Sequence, residues 1–195
     1  FVTPFFLYSY LTNFNFRFAR INRQSIILVV SIMMLIIPFI SFLHWFNSQI
    51  PFSEWIINSD NNSESKIFAI LKMYDYRDLV YNLLLIAVIP AIGEELVFRG
   101  YLQQKFSNWF KTPHTSILIT ALLFSAIHFH FQGIIPRFFL GVLLGYLYYW
   151  SRSLWLPILA HFTHNALVIV TWFISSRDNS KADFLTADTA IDINL

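Results

Sequence analysis

Cysteine is absent from this chain, charge is scarce, and glycine is rarer still. Without cysteine there is no disulfide, no thiolate metal site and no cysteine nucleophile. Charged residues make up 12% of the sequence, about half the share of an average soluble domain. The 13 Lys and Arg against 11 Asp and Glu leave a formal charge of +2. No basic cluster forms the footprint of a nucleic-acid binder, so that class of partner is excluded. Glycine occurs five times and proline seven times in 195 residues.

Apolar residues fill the space. They make up 56% of the chain, with 22 Phe among them, and they gather in long runs, as in a polytopic α-helical membrane protein. Ser25 to Phe46 is nearly unbroken Ile, Leu, Val, Met and Phe, long enough to cross a bilayer. Leu79 to Phe98, Thr115 to Phe131, Ile134 to Trp150 and Leu154 to Ser175 follow, and Gly133 with Pro136 marks a tight connection between two of them. Phe1 to Tyr10 is too short to span alone. Five to six membrane helices in an all-α bundle are expected. The chain opens on Phe1 rather than Met, so a fragment with membrane segments upstream is also expected.

Three regions follow from this pattern. Residues 1–78 hold the N-terminal membrane segment and a polar loop outside the cytoplasm; residues 79–176 form the membrane core; residues 177–195 are a polar tail. Within the loop, Ser65 to Tyr76 reads as a short amphipathic helix. Thr112-Pro113 reads as a helix start, an N-cap followed by proline at the first helical position. Lys and Arg are expected in loops or near helix ends. Arg17, Arg20 and Arg23, then Arg99, Lys105 and Lys111, lie in stretches without acids, which assigns those ends to the cytoplasm. Arg152 agrees with this assignment and Arg137 does not.

Glu94 and Glu95 close the apolar run that begins at Leu79. An ionisable side chain at membrane depth costs at least ~2.5 kcal/mol and marks function by default. Glu95 and Arg99 are spaced i, i+4 with the acid first, the favoured order for a helical pair. Glu94 lies about 100° around the helix, which leaves it as a candidate general base; a juxtamembrane charge cluster is the plain alternative. Phe124 and His128 are one turn apart, so ring and imidazole can pack together. His130, nearer the end of its stretch, is expected at the interface, and Ser125 reads as a small packing residue. His161 and Asn165 share a helix face, with His164 on the flank. They suit either interhelical hydrogen bonding or donation to an oxyanion.

Glu-Glu-x-x-x-Arg, Phe-x-x-x-His and His-x-x-x-Asn, in this order on apolar helices, resemble the CAAX-processing endopeptidase and bacteriocin-processing family of intramembrane proteases (CPBP, or Abi). The resemblance covers residues 79 to 176. It implies a glutamate-dependent peptidase in which Glu94 and His128 activate a water and His161 and Asn165 stabilise the oxyanion. Glu95 and Arg99 then support the site, and no cofactor is needed. A peptide or protein is the implied substrate, the bilayer is the surroundings, and the site opens to the cytoplasm of a bacterial cell. Two other readings stay open: a zinc-dependent version built on Glu94, His128 and His161, and a non-catalytic immunity or peptide-binding membrane protein. Against other proteases, there is no His-Glu-x-x-His and no Gly-x-Ser-x-Gly.

Overall fold

Apolar runs interrupted by a few turn-forming residues give helices joined by short connections. The computed structural model describes residues 16–61 and 71–177, and every regular element among them is helical. Helix α1 is Arg23–Ser48, α2 is Tyr76–Phe110, α4 is Phe131–Ser151 counted with its opening 3-10 turn, and α5 is Trp155–Arg177; each is long and apolar enough to cross a membrane. Helix α3, Pro113–Ala126, is apolar but shorter. This is a polytopic helical membrane bundle. Phe1 to Tyr10, the tail from residue 178, and most of the proposed amphipathic helix at 65–76 lie outside the described residues. Of that last segment's described part, 71–75 is not helical and Tyr76 opens α2.

Helix starts are chemically specified. Asn22 accepts from Ser25 N at 2.7 Å and begins α1. Asp75 and Asp78 form a reciprocal capping box that begins α2. Pro113 does stand in the first turn of α3, but the Thr112 side chain makes no cap bond. Lys111 and Arg152 end α2 and α4 in the left-handed conformation, at φ 56° and 52°.

Leu140, Leu144 and Leu147 of α4, Leu156 and Ala160 of α5, and Val29 and Met33 of α1 make one core cluster. A second joins Ala87 of α2 to Ile169 and Phe173 of α5, with Leu71 and Met73. Outward-facing positions are just as apolar: Leu28, Leu35, Trp45, Leu85, Leu122 and Ile174 are exposed, as lipid contact requires. At Gly141 a Cβ would stand 3.1 Å from the backbone of Ala121, so glycine lets α3 and α4 approach closely.

Three expectations are corrected. Helix α2 runs 12 residues past Phe98, because the Gln103–Phe110 turns are amphipathic and continue the helix. Glu94 is therefore well inside α2 rather than near its end, about 16 residues before the α2–α3 turn. His128 lies about as far after that turn, so the two reach similar depth at ~1.5 Å per residue. Helix α3, conversely, stops at Ala126, and His128 sits in the turn beyond it. Lys and Arg are not all peripheral either: Arg99 and Arg137 are fully buried within helices.

Candidate active site

The carboxylates of α2 lie beside two irregular turns of that helix. Residues Leu83–Val88 and Leu96–Leu102 are wound as π-helix, on either side of the α-helical Ile89–Glu95. Such bulges concentrate at functional sites. Proline explains part of the first. Pro90 has no N–H for the carbonyl of Ile86, and Asn165 of α5 donates Nδ2 to that carbonyl at 3.2 Å.

Glu95 and Arg99 pair as their spacing predicts. Arg99 Nη1 donates to Glu95 Oε1 at 2.8 Å, with both side chains fully buried. Its Nη2 donates to the carbonyl of Gly141 at 2.9 Å, and its guanidinium lies 4.7 Å from the Phe124 ring centroid. One turn on, Gln103 donates to the carbonyl of Gly145 at 3.0 Å. Two side chains of α2 thus grip two glycine carbonyls of α4.

Glu95 Oε1 also faces His161 Nδ1 at 2.9 Å. A carboxylate that already takes an arginine proton is an acceptor, which assigns a proton to His161 Nδ1. His161 Nε2 then points to Glu94 Oε2, 3.9 Å away. His128 Nε2 stands 3.8 Å from the same oxygen. The Nδ1 of His128 is 2.7 Å from the carbonyl of Phe124. A carbonyl only accepts, so that nitrogen is the donor and Nε2 of the neutral ring carries the lone pair. Phe124, fully buried, meets both imidazoles edge-on, at 5.2 and 5.8 Å.

Glu94 and His128 keep some exposure, 25% and 16% of their side chains, whereas Glu95 and His161 have none. Among the described residues, Glu94 Oε2, His161 Nε2 and Asn165 Oδ1 are buried atoms with no hydrogen-bond partner. Also among the described residues, no three His, Asp or Glu side chains form a metal ligand set.

His130 is not interfacial. It is 3% exposed, and Arg137 donates Nη1 to its carbonyl at 2.7 Å and places Nη2 2.9 Å from its Nδ1. Arg137 departs from the charge rule because it serves this buried contact instead of a loop. His164 is buried on α5, and Ser125 Oγ donates to the carbonyl of Ile134 at 2.5 Å. Sequence reasoning missed Asn47, Asp60, Gln103 and the glycine pair of α4. The Gly141-x-x-x-Gly145 spacing was a signal for the last; Asp60, within Asn58-Ser59-Asp60-Asn61-Asn62-Ser63, reads as solvated loop.

Comparison with known proteins adds a family. Residues 76–167 match the family described as Type II CAAX prenyl endopeptidase Rce1-like. The uncharacterized protein YpbD of Bacillus subtilis (strain 168) is 26% identical over 129 residues, 64% of this chain and 56% of that protein. An uncharacterized 24.3 kDa protein of Escherichia coli is 33% identical over 88 residues, 43% of this chain and 41% of that one. The membrane-embedded CAAX protease MroQ of Staphylococcus aureus (strain USA300) is 28% identical over 102 residues, 50% of this chain and 41% of MroQ. The chain spans about half the length of the curated relatives it matches. No solved structure matches it significantly.

Proposed function

Because residues 76–167 match the Rce1-like family of type II CAAX prenyl endopeptidases, we propose that this chain is an intramembrane endopeptidase with Glu94 as general base. The observation that carries the reading is Glu94 Oε2: buried, without a hydrogen-bond partner among the described residues, and approached by the Nε2 atoms of His128 and His161. Two acceptors 3.8 Å apart, Glu94 Oε2 and His128 Nε2, can each take a hydrogen of one water between them. The water's lone pair is then turned to a substrate carbonyl. Its oxygen bonds to the carbonyl carbon while Glu94 takes the proton, and that proton passes to the leaving amine as the C–N bond breaks.

The oxyanion falls to His161 and Asn165. With Nδ1–H held by Glu95, His161 donates from Nε2 only as an imidazolium. Asn165 gives one amide hydrogen to Ile86 and has a second to offer. The substrate is a peptide or protein segment reaching the site from the Lys/Arg-rich end of the bundle, in a bacterial cytoplasmic membrane. The chemistry uses no metal.

Purified protein in lipid nanodiscs, offered a quenched fluorescent peptide library, tests this. Cleavage by the wild type with loss in Glu94→Gln supports the base assignment. Cleavage that survives Glu94→Gln removes it, and no cleavage by a well-folded wild type favours a non-catalytic peptide-binding role.

A further inference from the structure

The turn that carries His128 is held from outside the family-matched region. Immediately after His128 the chain reverses through Phe129 at φ 50°. A bulky residue in the left-handed region is strained, and such a conformation persists only where its surroundings over-determine it. On the near side Phe129 N donates to the carbonyl of Ala126 at 3.1 Å and His128 Nδ1 to that of Phe124 at 2.7 Å; further restraints hold the far side. Asn47, at the end of α1 and fully buried, donates Nδ2 to the carbonyl of Phe131 at 3.0 Å and accepts from Ile135 N at 2.9 Å. Asp60, in the short helical stretch 54–61, accepts from Gln132 N at 2.9 Å. Arg137 and Ser125 hold the carbonyls of His130 and Ile134 from within the matched core.

Asp60 is the informative member. Its exposure is 0%, and aspartate is almost never so buried unless paired. Yet its contact to this turn is a single backbone N–H, which accepts no charge transfer and takes no part in hydrolysis.

We propose that Asn47 and Asp60 are positioning residues that set the place of the His128 imidazole relative to Glu94. The inference rests on the proposed role of His128. Fixing Phe131, Gln132 and Ile135 fixes where the chain leaves the left-handed turn. That turn in turn sets where His128 Nε2 stands when Nδ1 bonds to Phe124. A displacement of about 1 Å at a catalytic group costs on the order of 10²-fold in rate. Loss of the clamp is therefore expected in kcat and not in KM.

The test uses the full chain in nanodiscs, with Asp60→Ala, Asp60→Asn and Asn47→Leu, a cleaved library peptide as substrate, and 15N-histidine NMR. The His128 signal is assigned by its disappearance in His128→Gln, and thermal melting checks the fold. Asp60→Ala is expected to lower kcat about 10- to 100-fold with KM within about threefold. It should also shift His128 Nδ1 away from its hydrogen-bonded position. Asp60→Asn, which keeps an acceptor oxygen, should restore both readings. An unmoved His128 resonance in a folded Asp60→Ala protein overturns the proposal, as does an Asp60→Asn variant as impaired as Asp60→Ala. If the wild type cleaves no peptide, the protease reading fails while the resonance still decides the clamp. Should Asp60→Ala not fold, Asn47→Leu is read by the same criteria.

Discussion

Asn165 on α5 donates its side-chain amide to the backbone carbonyl of Ile86 on α2, the carbonyl that would have bonded to residue 90 in a regular α-helix. Residue 90 is proline, and the helix around Ile86 is wound wider than an α-helix. One side chain therefore repairs a backbone defect and stands one helical turn from His161. The two duties are separable because the amide has two hydrogens.

Asn165→Leu is expected to cost about 0.6–2 kcal/mol of stability, the range for an interhelical bond in a membrane. Pro90→Ala in that background restores the missing N–H and should recover most of the loss. Turnover should stay low by about 10²–10³-fold in both variants, the effect of removing an oxyanion donor. Reversible unfolding in detergent measures the first effect and peptide hydrolysis the second. Turnover that returns with stability would leave Asn165 a structural residue alone.

Arg99 and Glu95 make the next prediction. Deleting one member of a fully buried pair leaves a bare charge, which costs about 3–5 kcal/mol. Arg99→Leu should be destabilised by that much, and Arg99→Leu with Glu95→Leu by clearly less. Activity should be lost in the double variant, since His161 loses its Nδ1 partner along with Glu95. Equal stability of the single and double variants, by the same unfolding titration, would show that the pair is not coupled.

Much of this was legible because the motif residues lie one helical turn apart. Spacing alone put Glu95 with Arg99, Phe124 with His128, and His161 with Asn165, and each pair shares a helix face or a contact. What could not be read was anything set by long-range packing. Phe98 to Phe110 carry no unbroken apolar pattern, so the apolar run ends before α2 does and does not give the depth of Glu94. His128 fell into the turn because a left-handed Phe129 is a tertiary choice that no local propensity favours. Arg137 and Asp60 break the rule that charges sit outside, Arg137 by pairing with buried His130 across a turn and Asp60 by accepting from Gln132 N, 72 residues away.

Metal dependence is settled by chelation. The proposed chemistry takes its proton to Glu94, and the neighbouring Arg99 guanidinium opposes a second cation. Exhaustive chelation in nanodiscs should leave hydrolysis unchanged, and elemental analysis should find no stoichiometric zinc. One zinc per chain, with activity lost on chelation and restored by the metal, would replace the base by a metal-bound water.

The last prediction concerns the His161 proton. Glu95 Oε1 is 2.9 Å from Nδ1 and 2.8 Å from Arg99 Nη1, so it fixes the ring's orientation and requires a hydrogen on Nδ1. Nε2, facing Glu94, must gain a proton before it can donate to an oxyanion. Glu95→Gln keeps the shape and can still accept from Nδ1, but it removes the charge and admits the flipped amide, which would donate to the ring. Turnover should fall steeply, up to ~10⁴-fold, the loss seen when a carboxylate orienting a catalytic imidazole becomes an amide. KM should change little. Nitrogen-15 NMR of His161 should show Nδ1 protonated in the wild type and a mixed or inverted tautomer in Glu95→Gln. A wild-type ring protonated only on Nε2 would reverse the assignment: His161 could then donate while neutral, and Glu95 would be needed for packing alone.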